Sequence, residues 1–262
     1  MCQSPLQFLA ALPPIPKQVH MTWKVKDIAD DPSPLIQNGL RNIIDMNPDW
    51  QVTVSDDADL ERYLQARLSA DDYRRIQDRH IVEKCDLWRL LKLFHEGGLY
   101  QDIDRPYNIP LRRILTERTR CVLPTYYDID FTQAFMLSAP GNPIFRRAIE
   151  LNLERRRQGC TDILSLGPIT YFHAVTEHLV GEPLQREPGA DVMADLRRRL
   201  ADCELTETHR ETPPEQGISF RRDPSTWRPG NGESKDAFYA RCATRHWMVD
   251  APDDPGNKPY GR

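Results

Sequence analysis

The sequence lacks several features that would assign it to common classes of protein. No stretch approaches the roughly 18 consecutive apolar residues of a membrane span, and the N-terminus has neither the basic start nor the long apolar core of a signal peptide. The formal net charge is −4, so the protein as a whole has no excess of positive charge that would attract nucleic acid. These properties predict a soluble, cytoplasmic protein without a transmembrane segment.

Cysteine is sparse and scattered. There is no CxxC pair and no cysteine and histidine spacing typical of a zinc site. One cysteine falls inside a helical pattern, and nothing else indicates secretion, so reduced thiols are expected. The six cysteines are Cys2, Cys85, Cys121, Cys160, Cys203 and Cys242.

The aromatic content predicts a folded core in a chain of 262 residues, since it includes five Trp, nine Tyr and eight Phe. The order of elements is strand, helix, strand, helices, strand, with the first strand at Gln18–Trp23 and the second at Trp50–Val54. This order predicts an α/β fold with a mostly parallel, Rossmann-like sheet flanked by helices. We expect a lead at 1–14, a single domain at 15–249 and a flexible tail at 250–262. Short arginine runs, including Arg155–Arg157, are interpreted mainly as solvated helix faces.

Two aspartates close a strand-like run that follows Gly97 and Gly98. Side chains two apart in a strand point the same way, so the carboxylates of Asp102 and Asp104 are expected to lie close together. Hard cations prefer such oxygen ligands and often bridge to phosphate oxygens of a substrate. The pattern therefore predicts a site for a metal ion and a diphosphate.

The helical stretch before this run carries a charged pair on its apolar side. Asp86 lies within the apolar face, and Arg89 lies one turn away at its edge. One interpretation is an internal ion pair that braces the helix. The other is that both groups face a polar cavity and hold a hydroxylated ligand, which the neighbouring aspartate pair favours.

Five blocks in order resemble glycosyltransferase family 32, the enzymes with a DxD sugar-binding region. This family includes fungal α-mannosyltransferases and bacterial polysaccharide biosynthesis enzymes, and it is distantly related to the clostridial glucosylating toxins. The most specific block is the one in which a helix, a Gly-Gly pair, a tyrosine and the DxD motif follow one another at fixed spacing. The blocks are Ile15–Lys24, Asn47–Asp57, Lys84–Asp104, Phe135–Ile149 and, more weakly, Leu166–Phe172.

The resemblance implies a GT-A fold and a metal-dependent transferase that moves a hexose from a nucleotide sugar with retention of configuration. Asp104 would bind Mn²⁺ or Mg²⁺ directly, and Asp102 would either contact the metal through water or bind the ribose of the substrate. Asp86 and Arg89 would hold the donor sugar. The donor would be a UDP-sugar or, alternatively, GDP-mannose, and the acceptor a glycan, a lipid-linked glycan, a small metabolite or a protein side chain.

The resemblance also supplies expectations for aromatic residues and for the C-terminal part. Trp23 would stack on the base, which favours UDP, and Tyr100 would lie near the nucleoside. Relatives complete the metal and diphosphate site with a C-terminal histidine or tryptophan element, for which His246 is the candidate metal ligand. A structural histidine is the alternative at this position. Residues 222–236 are interpreted as either a lid or a flexible loop.

Two rival functions have different sequence requirements. Haloacid-dehalogenase-like phosphatases also use a DxD strand, but they need Thr or Val two residues after the second aspartate. Here Arg105, Pro106 and Tyr107 follow Asp104. A non-catalytic nucleotide-sugar-binding protein is the other rival, and the presence of all four charged residues of the site argues against it.

Overall fold

A computed structural model describes residues 11–105, 110–126, 130–180 and the strand at 218–222. The described strands are β1 (Gln18–Thr22), β2 (Gln51–Ser55), β3 (Gly98–Gln101), β4 (Cys121–Tyr126), β5 (Asp130–Phe131), β6 (Phe135–Ser138) and β7 (Ile218–Arg222). The described α-helices are α1 (Pro34–Met46), α2 (Asp57–Arg67), α3 (Ala70–Arg74), α4 (Ile81–His95), α5 (Pro143–Arg157), α6 (Ile163–Leu166) and α7 (Pro168–Val180). Short 3₁₀ helices span Ile28–Asp30 and Leu111–Arg113.

The described strands form one mixed sheet in the order β2-β1-β3-β6-β4-β5, with β7 beside β4. The β2-β1-β3 part is parallel, as the alternation of strands and helices predicts. Strand β6 then lies antiparallel to both β3 and β4, while β7 runs parallel to β4. The predicted α/β class with flanking helices is confirmed, and parallel pairing holds in the half of the sheet that carries the site.

Two apolar cores lie on opposite faces of this sheet. Successive residues of β3 point to different faces, so Leu99 packs in the core under α1 and Tyr100 in the core under α4. Local signals mark the starts of two helices: the Asp56 and Ser69 side chains cap α2 and α3 by accepting hydrogen bonds from main-chain N–H groups. Strands β5 and β7 were not predicted.

Helix α4 is buried along most of its length, which explains its broad apolar face. It ends at His95, and Gly97, two residues later, has a φ of 69°, the left-handed conformation typical just after a helix C-terminus. Gly98 approaches the main chain of β1, and a β-carbon there would lie 3.2 Å from the carbonyl carbon of Gln18. Gly97 thus follows the end of α4, and Gly98 allows β3 to lie close to β1. None of the helices in the described part of the chain has the length and apolar character needed to cross a bilayer.

Candidate functional site

The Arg89 guanidinium connects the helix acid with the first aspartate of the DxD motif. Its Nη2 lies 2.8 Å from Oδ1 of Asp86, and its Nη1 lies 3.3 Å from Oδ1 of Asp102. Nη1 also donates to the carbonyl oxygen of Gln133 at 3.0 Å. The ion pair of the simpler interpretation is therefore present, and the same arginine also joins it to the motif that the sequence predicts as a metal site.

Tyr100, two positions before Asp102 in the chain, holds the Asp102 carboxylate. Its hydroxyl donates to Oδ1 of Asp102 at 2.6 Å, and the Arg89 guanidinium covers its ring at 4.5 Å from the centroid. The residue is only 1% exposed and packs edge-to-face on Trp88. The structure thus places the Tyr100 ring in the interior, where it orients Asp102. Its predicted position near a nucleoside stays a prediction.

The two aspartates lie in a turn directly after β3, and not in the strand itself. Strand β3 ends at Gln101, and the N–H of Arg105 donates to the carbonyl oxygen of Asp102 at 3.1 Å. The Gln101 side chain reaches across the turn to the carbonyl oxygen of Arg105 at 3.0 Å. The expectation that strand geometry aligns the two carboxylates is therefore wrong, because the turn sets their directions.

The turn is fixed to the neighbouring strand as well. The N–H of Asp102 donates to the carbonyl oxygen of Ala134 at 2.8 Å, just before β6 begins. The Asp102 side chain is 28% exposed, whereas that of Asp86 is 8% exposed. Asp102 and the partly exposed Asp104 can thus present oxygens to a ligand.

Burial dominates the electrostatics of the site. Burial raises the pKa of Asp86 to about 6, although the neighbouring Arg89 opposes the rise. Burial alone would lower the pKa of Arg89, but the acidic groups around it raise it well above its usual value. Arg89 therefore stays charged, whereas Asp86 changes charge close to neutral pH.

The donor set fits a hard cation that takes most of its ligands from outside the protein. Within the described ranges no group of three or more His, Cys, Asp or Glu side chains could hold a metal ion. Two carboxylates in a turn suit Mg²⁺ or Mn²⁺, which commonly keep waters and bind substrate phosphates. The predicted third ligand, His246, lies outside the described residues, as do the loop after 222 and the C-terminal tail.

Several other predicted aromatic and histidine residues have clear positions. Trp23 follows β1, is partly buried, and donates through Nε1 to Asp31 at 2.5 Å. His20 is buried, its Nε2 lies 2.9 Å from the carbonyl oxygen of Gly97, and burial lowers its pKa. His20 is thus a structural residue that joins β1 to the chain after α4. Stacking of Trp23 on a base stays a prediction.

Sequence reasoning missed two groups that complete the site. The main-chain carbonyl of Gln133 accepts from Arg89, and no side-chain pattern can signal a main-chain acceptor. Gly167 lies against the Asp86 carboxylate. Gly167 belongs to the block Leu166–Phe172, which resembles the family. The position of Gly167 beside α4, however, depends on tertiary packing.

Comparison with known proteins places the residues of this site within a matched family region. The family profile described as "glycosyltransferase sugar-binding region containing DXD motif" matches residues 33–120, which include Asp86, Arg89, Asp102 and Asp104. Residues 33–120 are thus similar to the sugar-binding region of the DXD glycosyltransferases. The resemblance drawn from the sequence is thereby confirmed.

Two curated relatives are similar over most of the chain. Inositol phosphoceramide mannosyltransferase 1 of Schizosaccharomyces pombe is 24% identical over 170 residues, covering 63% of this chain and 53% of the relative. Toxin Afp18 of Yersinia ruckeri is 23% identical over 205 residues, covering 64% of this chain and 10% of the toxin. The chain thus spans about half of the first relative and a tenth of the second.

Among solved structures, the PaToxG glycosyltransferase superposes with a TM-score of 0.49 and 20% sequence identity. The superposition covers 78% of this chain and 82% of that one.

Proposed function

We propose that this protein is a retaining, metal-dependent glycosyltransferase of GT-A type that moves a hexose from a nucleotide sugar to a hydroxyl acceptor. The observation that carries the proposal is the link from Asp86 through Arg89 to Asp102, within a region that matches the DXD glycosyltransferases. This link joins an acid suited to sugar hydroxyls to acids suited to a metal–diphosphate pair.

In the proposed mechanism each group has one task. Asp86 accepts hydrogen bonds from hydroxyls of the donor sugar, and Arg89 holds its carboxylate in place. Asp102 and Asp104 would hold Mn²⁺ or Mg²⁺, which would supply Lewis-acid stabilisation of the charge on the leaving diphosphate. Tyr100 and the main chain of Ala134 fix Asp102, so that the site is formed before the donor arrives.

The choice of donor is part of the proposal. Trp23 next to β1 favours a UDP-sugar, and the mannosyltransferase relative favours GDP-mannose as the alternative. That relative's name also supports a lipid acceptor beside the glycan and protein acceptors. A thermal-shift screen of UDP-glucose, UDP-galactose, UDP-N-acetylglucosamine and GDP-mannose, each with and without Mn²⁺, identifies the donor, because a specific ligand stabilises the native state by mass action.

Asp104→Ala tests the metal assignment. Removal of one group that stabilises developing charge commonly costs a hundredfold to a thousandfold in rate, so we expect donor hydrolysis and transfer to fall on the order of a thousandfold. The Mn²⁺-dependent thermal shift should disappear while the free protein remains folded. Asp45→Ala, on the exposed side of α1, is the matched control.

The rival binding function has its own outcome in the same assay. A folded wild-type protein that binds a nucleotide sugar with Mn²⁺ but never hydrolyses or transfers it would be a binding protein. An Asp104→Ala variant that retains wild-type rates would show that the metal assignment is wrong.

A further inference from the structure

The start of helix α7 presses its main chain against the helix acid of the site. Gly167 precedes Pro168, the first residue of α7. A β-carbon on Gly167 would overlap Oδ2 of Asp86 and lie 2.8 Å from its carboxyl carbon, whereas β-carbons in proteins essentially never come within 3.0 Å of another heavy atom. The Asp86 carboxylate therefore occupies the volume in which any other residue would have a side chain.

Helix α1 approaches the DxD turn in the same way from the other face of the sheet. Gly39 lies in the middle of α1, where glycine is a poor helix former and therefore indicates a packing requirement. A β-carbon there would overlap the carbonyl oxygen of Ile103 and lie 2.9 Å from its carbonyl carbon. Ile103 is the residue between Asp102 and Asp104, so α1 rests directly on the turn that carries both acids.

We propose that Gly167 and Gly39 are positioning residues, Gly167 for the acid that holds the donor sugar and Gly39 for the turn that holds the metal. This inference rests on the proposed function. Each glycine lets a flanking helix fix one half of the site by direct contact, so the two halves can be perturbed separately.

The two substitutions to alanine have different physical consequences. At residue 167 the obstructed atoms are the end of a side chain, so the Asp86 carboxylate can rotate away while the fold is kept. Rotation breaks its 2.8 Å contact with Arg89 and removes it from the sugar hydroxyls. At residue 39 the obstructed atoms belong to the main chain, so the whole turn from Asp102 to Asp104 must shift.

The experiment compares the full-length wild type with Gly167→Ala, Gly39→Ala and Gly159→Ala. Gly159 is exposed, and a β-carbon there would meet no atom within 4 Å, but its φ of 86° makes alanine strained at this position. Gly159→Ala is therefore the control for a glycine replacement that costs stability without crowding the site. Mn²⁺ affinity is measured by electron paramagnetic resonance of the free ion. With Mn²⁺ present, calorimetry gives the affinities for UDP and for UDP-glucose, and for GDP and GDP-mannose.

The expected result is a separation of two effects. Gly167→Ala keeps the wild-type affinities for Mn²⁺ and for the nucleoside diphosphate. Its affinity for the nucleotide sugar falls about tenfold relative to its affinity for the diphosphate, because a hydrogen bond to a charged group is lost. Gly39→Ala weakens Mn²⁺ binding by about tenfold or more, as loss of outer support for metal ligands commonly does. Gly159→Ala changes none of these affinities.

Every other outcome decides against part of the proposal. A folded Gly167→Ala protein with the wild-type ratio of sugar to diphosphate affinity would overturn the role of Gly167. A Gly39→Ala protein that binds Mn²⁺ normally, or that cannot fold, would overturn the positioning role of Gly39. If the wild type binds neither Mn²⁺ nor any of the nucleotides, the proposed function itself fails.

Discussion

Two buried acids lie one turn apart on helix α4, and their surroundings differ. The Glu83 carboxylate has two arginines of its own, at 2.9 Å from Nη1 of Arg156 and 2.8 Å from Nη2 of Arg79. The Asp86 carboxylate shares its arginine, Arg89, with Asp102. Glu83 is therefore fully compensated inside the protein, whereas Asp86 is left with capacity for a ligand.

The contrast indicates that the buried Glu83 carboxylate stabilises the fold, whereas the buried Asp86 carboxylate serves the site. A buried acid with a complete set of partners stabilises packing between helices, here α4 and α5. A buried acid with too few charged or hydrogen-bonding partners resists ionisation. Burial raises the pKa of Asp86 to about 6 because Arg89 offsets only part of the cost of burying its charge. The following substitutions test whether the two acids have these separate roles.

Glu83→Gln should have the largest effect on stability. It leaves buried Arg156 without its ionic partner, and breaking a buried pair commonly costs about 3–5 kcal/mol of unfolding free energy. Denaturant unfolding measures the loss. Turnover per folded molecule should change little at a temperature where the variant is folded. A selective loss of turnover with normal stability would assign Glu83 to the site instead.

Asp86→Asn should show the opposite pattern. Turnover should fall about a hundredfold to a thousandfold, because an amide cannot replace a charged acceptor of sugar hydroxyls. The melting temperature should rise, since an under-compensated buried charge is removed. Steady-state kinetics and thermal unfolding of the same preparation measure both effects. Reduced stability with full activity would show that Asp86 only braces α4.

The pH dependence sharpens the same comparison. The pKa of Asp86 is 3.8 in a model peptide and about 6 in the native protein, so the native state binds more protons between these values. Its contribution to stability therefore declines as pH rises from 3.8 to 6, by up to about 3 kcal/mol, and is constant above. The stability advantage of Asp86→Asn over wild type should accordingly be small at pH 4 and full at pH 7.

Activity should depend on pH in the reverse direction. Protonated Asp86 is a poor acceptor, so kcat/KM for the donor should fall about tenfold per pH unit below pH 6. A profile that is flat down to pH 4.5 in a protein that remains folded would contradict the assignment of Asp86 as the sugar acceptor.

Tyr100→Phe should have the smallest effect. It removes the 2.6 Å hydrogen bond to Asp102 and keeps the ring under Arg89. We expect a loss of about 1 kcal/mol in Mn²⁺ affinity and little change in fold stability. Tyr171→Phe is the matched control, because the Tyr171 hydroxyl is buried and has no hydrogen-bond partner. Equal Mn²⁺ affinities of the two variants would remove Tyr100 from the site.

Local signals explain what could be predicted from the sequence. Apolar spacing located α4, side-chain caps located α2 and α3, and a glycine pair located the end of α4. The ion pair between Asp86 and Arg89 follows from their spacing on one helix.

The rest depends on long-range packing, which spacing does not encode. Arg155 and Arg156 belong to a run interpreted as a solvated face, yet both are buried because α7 and α4 pack over them. The turn that carries Asp102 and the antiparallel position of β6 likewise depend on partners far along the chain. The link from Arg89 to Asp102 is therefore visible only in three dimensions.

Helix α4 has almost no surface of its own, and this limits how the protein can change. Ten of its fifteen residues are buried, and they serve the core, the Glu83 network and the site at once. A mutation there disturbs several tasks together, so natural or directed evolution of a new sugar preference has little freedom within α4. Such variation must come from elements outside α4 that keep one face exposed.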